Sequence, residues 1–220
     1  MRRLLVTAGL LLLGACNMVT TETPLFSKSD ASLPLREGVW LEPSDSPCDF
    51  DQTKPLADWP SCAKGVVVAN GRIGAWDTDD KGVRTWKSSD VIFAAGPPPV
   101  AQVHLVDMDV KGVGDVPLKP AVYLYLVIKP TKTDDSGRII AYTGWPILCG
   151  PPPPDDAKAP DGATPRLGTL KPLPGLTMDK EGNNCTTASQ DALRAAGVAS
   201  ETWAQTGSTT VTHWVRDGDR

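Results

Sequence analysis

The alternation of apolar and polar positions predicts antiparallel β-structure, most clearly on either side of Asn70-Gly71. Asn-Gly supplies the positive φ angles of a two-residue type I′ turn. Val68 is therefore expected opposite Ile73, and Val66 opposite Ala75, with all four side chains on one face. The pattern predicts a hairpin with an apolar face.

Further alternating segments extend this pattern to about residue 149, with turns rich in Gly, Pro and Asp between them. Ala121–Lys129 is apolar on both faces, which is typical of a central strand. The other predicted strands are Asp90–Ala94, Val100–Val110 and Arg138–Leu148.

The period becomes helical after Thr187, where Thr187 and Gln190 have the spacing of a capping box and apolar residues follow at helical intervals. Gly197 is a predicted break or bend in this helix. The β-rich segment Thr209–Val215 is expected to return to a sheet edge. The predicted fold is mainly β, a single antiparallel β-meander or barrel-like domain with one late α-helix.

The amino terminus has the layout of a secretory signal: Arg2-Arg3, an apolar run from Leu4 to Leu13, and small residues before Cys16. The run is too short for a membrane span, which needs about 20 apolar residues. Residues 1–15 are therefore predicted to be a cleaved signal peptide.

Leu13-Gly14-Ala15-Cys16 resembles the lipobox of bacterial lipoproteins. The resemblance implies that Cys16 is diacylated and becomes the mature amino terminus, which two or three acyl chains would hold stably in a membrane. In that class, Asn17 after the cysteine implies sorting to the outer membrane of a Gram-negative host, on the periplasmic side or the cell surface. Residues 16–34, rich in Thr, Ser, Asp and Pro, are expected to be a flexible spacer before a single domain at 35–220.

Composition agrees with an exported globular domain, since 40% of the residues are hydrophobic and 22% are charged. Removing residues 1–15 deletes two arginines and no acids, so the formal charge changes from −4 to −6. A negative domain without a basic stripe argues against a nucleic-acid partner. The expected partners are the membrane, through the lipid, and an envelope protein, polymer or small apolar ligand.

With Cys16 assigned to lipid, Cys48, Cys62, Cys149 and Cys185 remain, an even number in an oxidising compartment. Four cysteines allow three connectivities. Proximity favours Cys48 with Cys62, which would stabilise an irregular stretch by roughly 3 kcal/mol. Cys149 with Cys185 would then close the proline-rich loop 150–175. The alternatives, a redox pair or a metal site, lack Cys-x-x-Cys spacing.

Two acidic turns, Asp77-x-Asp79-x-Lys81 and Asp107-x-Asp109-x-Lys111, have the first spacings of a calcium loop. Both place a lysine where an oxygen ligand is required, so no metal site is predicted. His104 and His213 are far apart in sequence, and neither a nucleophile elbow nor a nucleotide-binding motif is present. No catalytic residue and no cofactor are predicted, and a non-enzymatic role is favoured.

The seven tryptophans have two interpretations, core packing or an exposed binding platform. Gly38-Val39-Trp40 also resembles the Gly-x-Trp signature of lipocalins, which implies a barrel that carries a small apolar ligand. The order of Gly38-x-Trp40, the cysteines and His213-Trp214 resembles that of uncharacterised proteobacterial lipoproteins. The leading hypothesis is an envelope binding or structural module; the alternatives are a lipocalin-like carrier and a hydrolase or hydrolase inhibitor acting on envelope polymers.

Overall fold

The computed structural model describes residues 17–28, 34–42, 47–79, 82–110, 114–152, 171–180, 182, 184–204 and 211–218. These residues form an eight-stranded antiparallel β-barrel with a single helix late in the chain. The fold class predicted from the sequence is therefore confirmed. The predicted signal peptide, the predicted lipidation site Cys16 and residues 153–170 of the proline-rich loop lie outside the described residues.

The barrel strands are β2 (Gly38–Glu42), β3 (Lys64–Ala69), β4 (Arg72–Thr78), β5 (Arg84–Ala94), β6 (Val100–Val110), β7 (Gly114–Thr133), β8 (Ile139–Pro146) and β11 (Val211–Arg216). Three short strands lie outside this set: β1 (Thr20–Thr21), β9 (Thr177–Met178) and β10 (Cys185–Thr186). The helix α1 is Gln190–Ala204, and a 3-10 turn is Leu56–Asp58.

The hairpin around Asn70-Gly71 is confirmed. Asn70 and Gly71 have φ angles of 53° and 70°, as a type I′ turn requires. Val68 pairs with Ile73 and Val66 with Ala75, so local turn chemistry fixed this register.

The carboxy-terminal strand β11 closes the barrel, which corrects its predicted place at a sheet edge. It pairs with β2 on one side, with His213 opposite Leu41, and with β8 on the other, with Thr212 opposite Tyr142. β8 also pairs with β7, which completes the ring. A strand at the edge of a sheet has unpaired backbone N–H and C=O groups along one side. Because β11 pairs with both β2 and β8, it has no such unpaired side.

The lower end of the barrel, where β2, β4, β6 and β8 begin, is covered by residues 34–36. The Arg36 amide donates to the Ile139 carbonyl at 3.1 Å, and the Arg36 guanidinium lies 3.5 Å from the centre of the Trp214 ring. Gly38 has a φ of +130°, and a Cβ there would lie 2.3 Å from the Arg216 carbonyl oxygen. Glycine is required at this position because β2 and β11 approach so closely.

The helix α1 packs on the outer wall formed by β7 and β8. Leu193 and Ala196 join Val127 and Trp145 in one buried cluster, and the Trp145 indole donates to the Gly197 carbonyl at 2.9 Å. The helix runs through Gly197 without a break. A Cβ at Gly197 would approach Val127 to 2.8 Å, which gives this glycine a packing role instead.

The helix begins at a different cap from the one predicted. The Ser189 hydroxyl accepts the Ala192 amide at 3.2 Å, so Ser189 takes the N-cap position rather than Thr187. The Thr187 hydroxyl instead accepts the Ser189 amide, at 3.1 Å.

Two disulfides join Cys48 to Cys62 and Cys149 to Cys185, each with a Cα–Cα distance of 5.7 Å. This is the pairing that proximity in the sequence favours. The first closes the segment 47–62 into a loop, and burial of Leu56 and Trp59 against β3 holds this loop on the outer wall. A Cβ at Gly65 would lie 2.3 Å from Leu56, so the glycine allows this segment to pack closely against β3.

Residues 17–28 are packed against the barrel, so the prediction of a flexible spacer is wrong for this segment. Thr20 and Thr21 pair with Leu124 and Tyr123, while Val19 and Phe26 are fully buried. The composition misled because few residues here are large and apolar, yet Met18, Val19 and Phe26 join buried clusters and hydrogen bonds complete the attachment.

The side-chain amide of Gln102 makes the most specific of these hydrogen bonds. Its oxygen accepts the Leu25 and Phe26 amides at 2.8 and 2.9 Å, and its nitrogen donates to the Phe26 carbonyl at 3.0 Å. Gln102 is 2% exposed. A buried amide with both ends satisfied in this way holds one segment in one register.

Gln102→Leu should loosen the amino-terminal segment and lower the free energy of unfolding by roughly 2–4 kcal/mol, because two buried backbone amides lose their acceptor. Urea denaturation measures this change, and tryptic cleavage after the exposed Lys28 should become faster. The matched control is Gln190→Leu, which removes one exposed hydrogen bond to the same segment. Equal effects of the two substitutions would contradict the assigned role of Gln102.

Candidate functional site

Four ionisable side chains of alternating sign lie on the inner face of the barrel towards its upper end, where β2 and β4 end and β3 and β5 begin. They are Glu42, Lys64, Asp77 and Lys87, one from each of the consecutive strands β2 to β5. We call this set the charged row.

Strand alternation places these side chains on the inner face. Glu42 is two residues after Trp40, and Lys64 is two and four residues before Val66 and Val68; these three apolar residues belong to one interior cluster. Side chains two residues apart on a strand share a face. The same relation links Asp77 to Ile73 and Lys87 to Phe93, which belong to the same cluster.

Glu42 is the most enclosed acid of the row. Burial raises the pKa of its carboxyl group, and the positive charge of Lys64 opposes the rise. Lys64 is its direct cross-strand partner. A carboxyl group whose pKa is raised by burial and which faces a lysine is a candidate functional group.

Asp77 and Lys87 form the second pair of the row. The Lys87 Nζ lies 3.0 Å from the Asp77 Oδ2, with side chains 32% and 35% exposed. A pair at this exposure contributes less than about 1 kcal/mol to stability. The small contribution of this pair to stability therefore does not explain why both side chains face inward.

Tyr142 lies beneath the charged row, on β8. Its ring centre is 5.5 Å from that of the fully buried Trp40. Burial and the nearby charge of Glu42 raise the pKa of Tyr142 to about 12, against a hydrogen bond with Thr212 that lowers it. The phenol therefore stays protonated at physiological pH, and the two rings form an aromatic floor.

The wall made by β6 and β7 is apolar at the same end. Leu105 and Leu124 are buried together with Met18, and Val103 and Leu148 pack against them. Leu105 shares a face with the interior residue Ala101, and Leu124 shares one with Ile128. The upper part of the barrel therefore combines one charged wall, one apolar wall and an aromatic floor.

This arrangement is chemically suited to contacts with a charged group and an apolar group. Two ammonium groups and two carboxylates give no net charge, which suits a ligand that carries both signs or one dipolar group beside an apolar part. Within the residues that the structure describes, no group of three or more His, Cys, Asp or Glu is placed to hold a metal ion.

The two histidines lie on the outer face, away from the charged row. His104 stacks on Tyr123 with 4.6 Å between ring centres, and its cross-strand neighbour Asp90 binds Arg72 at 2.5 Å. His213 is exposed and alternates with the inward-facing Thr212. The hydrolase hypothesis needs acids gathered with a histidine in a cleft, and this arrangement offers it no support.

The tryptophans divide between the two faces of the barrel wall. Trp40 is an interior core residue, and Trp145 is buried on the outer wall beneath α1. Trp76 and Trp86 meet edge to face at 5.5 Å on the outer wall and pack with the segment 47–62. Core packing therefore accounts for these side chains.

A shallow groove of about 180 Å³ lies between α1 and the barrel, lined by Val127, Trp145 and Val198 and bordered by the ion pair of Lys129 with Glu201. Pockets for small molecules usually enclose roughly 300–1,000 Å³. The groove is a weaker candidate than the charged row.

The charged row was missed from the sequence, which assigned Asp77 to a turn. A signal was present, because Glu42 continues the inner face of the Gly38-x-Trp40 strand and Lys64 continues that of Val66 and Val68. This signal can be recognised only once the inward-facing side of each strand is known.

Comparison with protein-family models, with characterised proteins and with solved structures gives no significant match.

Replacing Glu42 should lower the pKa of Tyr142 from about 12, because Glu42→Gln removes a negative charge that disfavours the phenolate. NMR titration of the ¹³Cζ resonances resolves the three tyrosines. The resonance that is missing from the spectrum of Tyr142→Phe is assigned to Tyr142. Glu37→Gln is the control, since Glu37 is exposed and its carboxylate accepts the Asn70 amide.

The same shift sets a pH dependence of stability. The folded-state pKa of Tyr142 is raised above 10.0, so its contribution is complete below pH 10 and is lost as the pH rises towards 12. Tyr142→Phe should remove that part of the alkaline loss of stability. A Tyr142 resonance unchanged by Glu42→Gln would show that the two groups are not neighbours.

Proposed function

We propose that the protein is a lipid-anchored, non-enzymatic binding module of the bacterial envelope that takes a small ligand into the upper end of its barrel. The charged row on the inner face is the observation that carries the proposal. Ionisable side chains lose solvation energy when they point into a barrel. A bound ligand with complementary charges would offset that loss, and this supports a ligand site at the charged row.

The proposed anchor is the acylated Cys16, supported by the signal-like residues 1–15 and the lipobox-like Leu13-Gly14-Ala15-Cys16. In a Gram-negative host, Asn17 directs the product to the outer membrane. Within the described ranges, no helix is long and apolar enough to cross a membrane.

A lipocalin-like carrier is the more specific form of this proposal. The β-barrel is compatible with such a binder, and Gly38-x-Trp40 lies in β2, the first barrel strand. Trp40, Ile139 and Val68 fill the lower interior, so a ligand would occupy the upper end rather than pass through the barrel. The charged row favours a ligand with a dipolar or doubly charged group over a purely apolar one.

Mass spectrometry of the membrane fraction should find a mature amino terminus at Cys16 that carries acyl chains. Cys16→Ser should abolish acylation, so that the protein is either soluble after cleavage at another site or retained in the inner membrane by its uncleaved signal. A soluble, unmodified wild-type product would overturn the anchoring proposal and leave the barrel's ligand site to be tested separately.

Native mass spectrometry of the detergent-extracted protein should detect a bound small molecule in the wild type and its loss in Lys64→Met. That substitution keeps much of the side-chain length and removes the charge that faces Glu42. Asp90→Asn is the matched control, because it removes a charge from the exposed outer face of β5. A wild type without ligand, or one whose ligand survives Lys64→Met, would contradict the proposal.

A further inference from the structure

We infer that the barrel lies directly on the lipid bilayer through one defined face, rather than being held away from it on a spacer. The face comprises the surface around Asn17, with Pro151, Pro152, Lys171 and Lys180 exposed on it. This inference rests on the proposed acylation of Cys16 and adds to it the orientation of the domain.

Asn17 is fixed in the fold, although it directly follows the proposed lipid site. It is 3% exposed, its side-chain amide donates to the Gly150 carbonyl at 3.0 Å, and its own carbonyl accepts the Cys149 amide at 2.8 Å. Its φ of 95° is one that asparagine tolerates better than most residues. These contacts fix the point from which the anchor leaves the domain.

The neighbouring residues are equally well attached. The Met18 amide donates to the Asn184 side chain at 3.2 Å, its carbonyl accepts the Cys185 amide at 3.2 Å, and Val19 donates to Ile147 at 2.9 Å. The Cys149–Cys185 disulfide joins the two segments that flank Met18. Moving the domain away from the anchor would require these hydrogen bonds of Met18 and Val19 to break together.

Chain geometry then limits the distance between lipid and protein. Consecutive Cα atoms are about 3.8 Å apart, so the acylated residue is one peptide unit from a buried one. A flexible spacer over residues 16–34 could instead have spanned roughly 60 Å when extended. The fold removes that reach, and the surface around Asn17 must meet the headgroups.

The composition of this face suits a lipid surface. Pro151 and Pro152 leave the barrel next to Gly150, and Leu173, two residues after Lys171, donates to the Cys149 carbonyl at 2.8 Å. Lys180 lies in the turn that connects β9 to β10, the turn that also holds Asn184. Exposed lysines on a membrane-facing surface attract anionic headgroups.

Asp179, the acid next to Lys180, has a structural role in this part of the described chain. The Asp179 carboxylate accepts the Asn184 amide at 2.9 Å, and the Asp179 amide donates to the Asn184 carbonyl at 2.8 Å. Asp179 therefore shapes the turn that presents Lys180.

Lysine footprinting on vesicles tests this orientation. The acylated protein is added to preformed vesicles of phosphatidylethanolamine and phosphatidylglycerol, and its amines are labelled with a membrane-impermeant acylating reagent. Lys171 and Lys180 should be labelled several-fold more slowly than in a variant with a Gly-Ser linker of about ten residues between Cys16 and Asn17, whose r.m.s. span is roughly 17 Å. Lys54 and Lys132, exposed on other surfaces, should be labelled equally in both proteins.

Flotation with the vesicles and the mass of the acylated Cys16 peptide report anchoring independently of orientation. A protein that does not float and is unmodified would overturn the proposed anchor. A protein that floats, with Lys171 and Lys180 labelled at the same rate with and without the linker, would overturn the membrane-facing orientation while leaving the anchor intact. Equal near-UV circular dichroism of the two proteins would show that the linker leaves the fold unchanged.

Discussion

The attachment of residues 17–28 to the barrel wall is the constraint on which the outer layer of the structure depends. Gln102 holds Leu25 and Phe26, and the Thr21 hydroxyl bonds that of Tyr125 at 2.6 Å. The placed Phe26 ring then meets Tyr125 edge to face at 6.5 Å and lies 5.1 Å from the Arg194 guanidinium of α1. The helix therefore packs partly on the segment, so loosening the segment removes part of the surface against which α1 is buried.

The interior of the closed barrel has a lower and an upper half that differ in composition. The lower half is filled with large apolar and aromatic side chains, as the closed end of a small barrel requires. The upper half keeps Glu42, Lys64, Asp77 and Lys87 on one wall. Alternating signs on neighbouring strands reduce the electrostatic cost of that placement, but an apolar wall like that of β6 and β7 would avoid the cost altogether. The difference between the two walls is therefore consistent with the proposed ligand site, whereas stability alone does not require it.

The sequence predicted those parts of the fold that depend on neighbouring residues. The Asn70-Gly71 turn set its own register, and the two-sided apolar pattern of Ala121–Lys129 identified a strand that is buried on both faces, because both effects are local. The place of β11 depended on contacts with β2 and β8 that are distant in sequence. The attachment of residues 17–28 depended on partners that are distant in sequence, among them Gln102, a polar residue whose burial no composition-based argument predicts. The charged row required knowledge of which face of each strand points inward.

Met18 connects the proposed anchor with the proposed ligand site. It is two residues from Cys16, and its side chain packs with Leu105 and Leu124, which form the apolar wall opposite the charged row. The end of the barrel that carries this wall is thus the end at which the chain approaches the membrane. A change at Asn17 acts on both features, because its bond to Gly150 positions Met18. Effects of Asn17→Asp on sorting must accordingly be separated from effects on this wall, since the carboxylate cannot donate the hydrogen bond that the amide donates.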